Sequence, residues 1–185
     1  MIRTERLIIE PLEAAMQQHV DWLNNQDLMR FSEQRHVQHS LQSQQLYVSL
    51  NESLNIRTDD IETVGTLTIH RDVNNNTVDL GIMIGVAFGG RGFGTEAFTA
   101  ISDWLISDRF FRKVEAGCML HNLPMVKIMA ASGFVLEGRR AQHFILEKQP
   151  TKAAAQLSDM LYFGKFLASK KRIHRYEAPP APLPL

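Results

Sequence analysis

The sequence predicts a mixed α+β domain built around one sheet, and three observations carry that prediction. Two β-branched stretches alternate in character, Thr63 to Arg71 and Thr77 to Ile84, with three asparagines between them. Asparagine tolerates left-handed backbone angles, so Asn74-Asn75-Asn76 reads as a turn and the two stretches as an antiparallel hairpin. The period then switches: over Phe93 to Ser107, residues Ala97, Phe98, Ile101, Trp104 and Leu105 form one apolar helical face, with Glu96, Ser102 and Asp103 elsewhere. The predicted order is strand, two helices, three strands, helix, strand, helix, two strands, which suits helices packed on one sheet.

In order, Arg6 to Glu10 reads as a first short strand. Ala15, Met16, Val20 and Leu23 recur at helical spacing within Ala14 to Asn24, and Asn24-Asn25 ends that helix. Arg30 to Ser40 is polar and irregular. Ser40 is placed to cap a second helix carrying Leu41, Tyr47, Val48 and Leu50. A strand over Leu54 to Arg57 and a turn at Asp59-Asp60 lead into the hairpin. After the long helix, Lys113 to Met119 reads as a strand. Pro124 suits the first turn of a short helix with Val126, Met129 and Ala130 inward, and Gly133 stops it. Strands follow over Phe134 to Ala141 and Met160 to Phe166, with a variable stretch between. The predicted division is a domain over 1–168 and a basic, proline-rich tail over 169–185, expected to be extended and mobile.

Composition narrows the class. Lysine plus arginine equals aspartate plus glutamate, 20 of each, so no net charge draws the chain towards nucleic acid or an anionic membrane. The single cysteine, Cys118, cannot form an intrachain disulfide, which fits a reducing compartment. The start, MIRTERLIIEPLE, lacks the plan of a signal peptide, and Leu80 to Gly90 is too short and glycine-rich to span a bilayer. The expectation is a soluble, cytoplasmic protein with neither DNA nor membrane as partner; oligomeric state stays open, a homodimer included.

The densest motif is GVAFGGRGFGTEAF, where Gly89, Gly90, Gly92 and Gly94 fall just before the long helix. Three readings compete. Bare backbone lets N–H groups converge on an anion at the positive end of the helix, a phosphate cradle. Gly92 to Ala97 also fits G-x-G-x-x-A, with Glu115 near the place of a ribose-binding acid, which suggests a dinucleotide (NAD(P)) site. The third reading is a ligand-free turn. A strand hairpin and two helices precede the motif and Glu115 sits within its strand, so the phosphate cradle is favoured. No lysine follows the last glycine, which excludes a P-loop.

The stretch VDLGIMIGVAFGGRGFGTEAF resembles the acetyl-coenzyme A (acetyl-CoA) signature of the GNAT N-acetyltransferases, in the branch that includes ribosomal-protein N-acetyltransferases. KVEAGCMLHNLPMVKIMAASGFVLEG is similar to that branch's second motif, DMLYFGKF to its final strand and TERLIIEPL to its opening. The resemblance implies the GNAT (acyl-CoA N-acyltransferase) fold, a mixed, mostly antiparallel sheet flanked by helices. It implies transfer of an acetyl group from acetyl-CoA to an amine acceptor: a protein N-terminus, a small-molecule amine or an amino sugar. It places the pyrophosphate on the amides of Arg91, Gly92, Phe93, Gly94 and Thr95, the pantetheine arm along Ile82 and Ile84, and Asn122 against the cofactor arm. No metal is implied.

Two positions depart from the family pattern. Gly89 stands where Gln or Arg is frequent. Met125 and Met129 stand where many members carry a Tyr or Ser that protonates the leaving thiolate, so the acid is unassigned. Because of those methionines, a non-catalytic acyl-CoA-binding module is the alternative from another class. An ammonium cannot attack a thioester until a base or water takes its proton. Asp79, two residues before Gly81 on the strand leading to the cofactor site, is the first candidate; Glu33 and His36 lie in a loop that the resemblance places beside the acceptor. Arg35 suits an acidic substrate or a solvated surface equally. Glu33, His36 and His39 recur every third residue, a spacing too sparse in ligands to indicate a metal. Cys118, in an apolar strand without a paired base, reads as a structural thiol, and His70 as a surface histidine.

Overall fold

The computed structural model describes residues 1–146 and 156–167. The amino-terminal elements are β1 (Ile2–Arg3), β2 (Leu7–Pro11), α1 (Gln17–Leu23), α2 (Gln26–Met29) and α3 (Leu41–Leu50). The hairpin region holds β3 (Glu52–Thr58), β4 (Thr63–Asp72) and β5 (Thr77–Ile84), and then come α4 (Phe93–Ser107), β6 (Lys113–Met119), α5 (Leu123–Ala131), β7 (Val135–Ile145) and β8 (Leu157–Phe166). The strands form one sheet in the order β1-β2-β3-β4-β5-β6-β8-β7, antiparallel throughout except for β5 against β6.

Local chemistry sets most boundaries. Ser40 and Ser43 exchange side-chain and backbone hydrogen bonds in a capping box that starts α3. Asn122 accepts from the amide of Met125 at 3.2 Å and starts α5, with Pro124 in its first turn. Gly133, at φ +81°, ends it in a conformation that glycine adopts freely. The structure differs from expectation at element ends and in two short added elements, α2 and β1. Helix α1 begins three residues later than Ala14, because Met16 is extended and the amide of Ala15 donates to Gln45 of α3. Asn25, expected only to end a helix, accepts from the amide of Leu28 and starts α2. Strand β7 runs on to Ile145 by pairing with β8, and β1 is a two-residue addition at the sheet's edge.

One face of the sheet is apolar. Leu67, Ile69, Val78 and Leu80 of the hairpin and Ile56 of β3 are buried with Phe98, Ile101 and Leu105 of α4. Fully burying one such side chain stabilises the fold by about 1.5–3 kcal/mol. Trp104, expected on this face, is only part-buried and carries Arg109 over its ring at 4.5 Å. Ser102, expected outside it, is fully buried and accepts from the Lys165 ammonium at 3.0 Å. The opposite face of β3, β4 and β5 carries Ser53, Thr66, Thr68, His70 and Asp79. Helix α1 crosses over it, with Trp22 so close to Gly85 that an added Cβ would lie 2.4 Å from its ring.

Candidate active site

Strands β5 and β6 pair at only three positions, Thr77 with Lys113, Val78 with Val114 and Asp79 with Glu115. Beyond Asp79 they part, because β6 continues its ladder with β8 on the other side as far as Met119. The edge of β5 from Leu80 to Ile84 that faces β6 therefore has no strand partner. A cleft of about 1240 Å³ opens there, running from the glycine turn across β5 to the loop after α2.

At one end of the cleft lie Gly89, Gly90, Gly92, Phe93, Gly94 and Thr95. Gly90 and Gly92 adopt φ of +72° and +83°, which other residues reach only with strain. The first amide of α4 to find an acceptor inside the chain is that of Glu96, on Gly92 at 3.1 Å. No hydrogen bond among the described residues engages the amides of Arg91 to Thr95. These donors and the positive end of a 15-residue helix suit a pyrophosphate. Gly94 packs so closely that an added Cβ would meet Ile128 at 2.8 Å, so the helix start sits tight against α5. The Arg91 side chain lies over the Phe93 ring, 4.9 Å away, while the expectation for this residue concerns its amide. Ile82, Ile84 and Asn122 all line the cleft.

Asp79 lies in register with His70 on β4 and Glu115 on β6, at the point where the strands part. Its side chain opens into the cleft, yet the surrounding protein thins its hydration. That burial pushes the carboxyl above the ordinary aspartate range; the nearby His70 opposes the shift, and Glu115 and Glu33 add to it. Glu33 lines the same cleft, as do Asp27 and Arg30. His36 is exposed and does not line it, so the structure separates His36 from the other two candidates. Arg35 is part-exposed and does not line the cleft: its guanidinium donates to the carbonyls of Ser32 and Ile145 and fastens the loop to β7.

The profile of the acetyltransferase (GNAT) domain family matches residues 6–135. The chain belongs to the GNAT acetyltransferase family. Among solved structures, this GNAT chain is similar to a GNAT-family acetyltransferase from Bacillus anthracis at 16% identity and TM-score 0.71, covering 91% of this chain and 99% of that one. It is similar to RimL, a ribosomal L7/L12 α-N-protein acetyltransferase in complex with coenzyme A, at 17% identity and TM-score 0.73, covering 89% and 96%. It is also similar to the spermidine N-acetyltransferase from Vibrio cholerae in complex with CoA and spermine, at 13% identity and TM-score 0.73, covering 89% and 97%. No curated protein matches the chain.

Within the GNAT frame several side chains take definite places. Met129 is fully buried, whereas Met125 lines the cleft, and neither can donate a proton. Cys118 lines the far wall; burial pushes its thiol up to about 11, so it stays protonated near neutral pH and is no nucleophile. Glu115, the acid that the dinucleotide reading offers, is engaged by the Lys113 ammonium at 2.5 Å. His19 carries no signal in the sequence, since it sits beside the apolar positions of α1 without a motif. It is 4% exposed, lines the cleft and has no hydrogen-bond partner on either ring nitrogen. Its burial lowers the ring's pKa and favours the neutral form. Among the described residues no three His, Cys, Asp or Glu side chains gather as a metal centre requires.

Proposed function

We propose that this GNAT domain transfers the acetyl group of acetyl-CoA to a primary amine by direct attack, with Asp79 as the base. The observation that carries this reading is the parting of β5 from β6 beside a row of unengaged amides at the start of α4. The amides of residues 91–95 hold the pyrophosphate. The free edge of β5 at Ile82 and Ile84 pairs with the pantetheine arm as an added strand would, and Asn122 borders it while capping α5. Asp79, at the fork, takes one proton from the acceptor ammonium, directly or through water. The freed amine nitrogen attacks the thioester carbon, a carbon–nitrogen bond forms, and the carbon–sulfur bond breaks. The nitrogen loses its second proton to water as the amide forms, and the thiolate leaves and takes a proton from solvent, which suits the methionines at 125 and 129. Unpaired N–H groups on the β5 edge face the developing oxyanion.

Glu33 adds negative charge near Asp79 and favours a cationic acceptor. His36, outside the cleft, receives no role. RimL and the Vibrio cholerae enzyme act, by their names, on a protein N-terminus and on spermidine, so amine acceptors of both kinds enter the test, together with amino sugars. The experiment is release of free CoA from acetyl-CoA in the presence of each amine class. Tight acetyl-CoA binding without turnover on any acceptor would replace the transferase with a non-catalytic acyl-CoA-binding module.

A further inference from the structure

We propose that His70 is the proton relay of this site: it takes from Asp79 the proton that Asp79 removes from the acceptor and passes it to solvent. The inference rests on the acetyltransfer reading and adds a residue to it. Register sets the pair. His70 on β4 stands directly opposite Asp79 on β5. Opposite residues of an antiparallel pair share one sheet face, with Cβ atoms about 4.5–5.5 Å apart. Both residues line the cleft and both are exposed there. Among the described residues no hydrogen bond or ion pair engages the His70 ring or the Asp79 carboxyl. Rotation about χ1, or one water between them, therefore joins ring and carboxyl.

Asp79 needs such an outlet. The surrounding protein thins its hydration, and the charges of Glu115 on β6 and Glu33 in the loop after α2 make it hold a proton more firmly. A base that keeps its proton cannot serve the next turnover. The Glu115 carboxylate is already engaged by Lys113 at 2.5 Å. Glu33, Asp27 and Arg30 border the cleft, but a carboxylate accepts a proton less readily than an imidazole near neutral pH, and a guanidinium accepts none. On the other face of β4, Arg71 and Glu52 pair with each other at 2.5 Å. Two of the described histidines line the cleft: His19 is buried, whereas His70 is open to water. An imidazole changes charge between about pH 5 and 8, so it can take a proton from a carboxylic acid and release it to solvent. In the relay step the Asp79 O–H bond breaks and an N–H bond forms on the neutral His70 ring. The carboxylate is restored, and the imidazolium gives the proton to bulk water.

The test compares the full chain with His70→Gln, which keeps a polar side chain that cannot change charge. The acceptor is whichever of spermidine, glucosamine and a serine-terminated tripeptide the parent acetylates fastest. The variant's kcat should fall about tenfold or more, short of the loss expected for the base itself because water still reaches Asp79. Both KM values and the melting temperature should stay unchanged, and added imidazole should restore part of the lost kcat. An unchanged kcat, or a loss that imidazole does not restore, overturns the relay. The pH profile supplies an independent sign. An imidazolium stabilises the carboxylate beside it, so His70→Gln should move the Asp79 limb to higher pH, and a limb that stays in place overturns the pairing. The same shift is read without turnover from the Asp79 carboxyl carbon by NMR. No turnover on any amine in the parent, with the Asp79 titration still moved by His70→Gln, would sink the acetyltransfer reading and leave the pairing standing. Turnover in the parent with an unmoved titration would sink the pairing alone.

Discussion

Asp79 shows how little of a residue's role is written in its type. It is one of two aspartates on the hairpin strands, and only its place at the fork of β5 and β6 gives it an elevated carboxyl pKa and access to the cleft. Because the folded pKa lies above the unfolded one, the fold favours its protonated form. Its contribution to stability is present below the unfolded pKa and is lost as pH rises through the folded pKa. Asp79→Asn is accordingly expected to melt no lower than the parent at neutral pH. Its kcat/KM should fall by about 10²–10⁴-fold, the range for losing a positioned base. In the parent, kcat/KM should rise with pH through the elevated Asp79 pKa, and that limb should vanish in the variant; a limb that persists would place the base elsewhere. At Cys118, with its thiol pushed up to about 11, alkylation should be slow near neutral pH, and Cys118→Ala should keep turnover within a few-fold. Rapid labelling accompanied by loss of activity would contradict the structural role.

At the scale of elements, the start of α4 is held from the amino terminus. The Glu96 carboxylate accepts from the Thr4 hydroxyl at 2.5 Å, the Arg6 amide at 2.9 Å and the Arg6 guanidinium at 2.7 Å. Burial works against its charge, but those partners outweigh it and hold the carboxyl below the ordinary glutamate range. The sign is opposite to that of Asp79: this stability is present above the unfolded pKa and lost as pH falls through the folded one. Glu96→Gln should cost about 1–3 kcal/mol at neutral pH and flatten the acid side of the stability curve, read by denaturant melts at several pH values. Unchanged acid sensitivity would remove the clamp from the account. The neighbouring Gly92 lies at φ +83°, and an added Cβ would meet the Arg6 guanidinium at 3.3 Å. Gly92→Ala should therefore cost about 1–2 kcal/mol and weaken acetyl-CoA more than the acceptor, measurable by calorimetric titration.

At the scale of the molecule, binding and folding are linked. A ligand held only by the folded chain should raise stability by about 2.7 kcal/mol at a hundred times its Kd. Acetyl-CoA should therefore raise the melting temperature with increasing concentration, whereas NAD(P) should not; the reverse pattern would overturn the cofactor assignment. The predicted tail over 169–185 lies outside the described residues. Strand β8 ends at Phe166, and Leu167 closes the chain's described course by donating to the carbonyl of Arg112 at 3.1 Å. A chain ending at Ala168 should melt and bind acetyl-CoA as the full chain does, and a lower melting temperature would extend the domain into the tail.

By itself the sequence determined the hairpin, the long helix and the bare turn between them, because alternation, helical period and glycine spacing are local signals. It also determined the short helix after Asn122, whose cap and proline act within a few residues. Tertiary structure alone decided which groups share the cleft. It brought Asp79 and Glu33 to one cleft, left His36 outside and set His19, which has no motif, in the cleft's lining. Local patterns report how a segment folds, whereas a pocket gathers residues distant in sequence, and their meeting depends on how strands part and helices cross rather than on spacing along the chain.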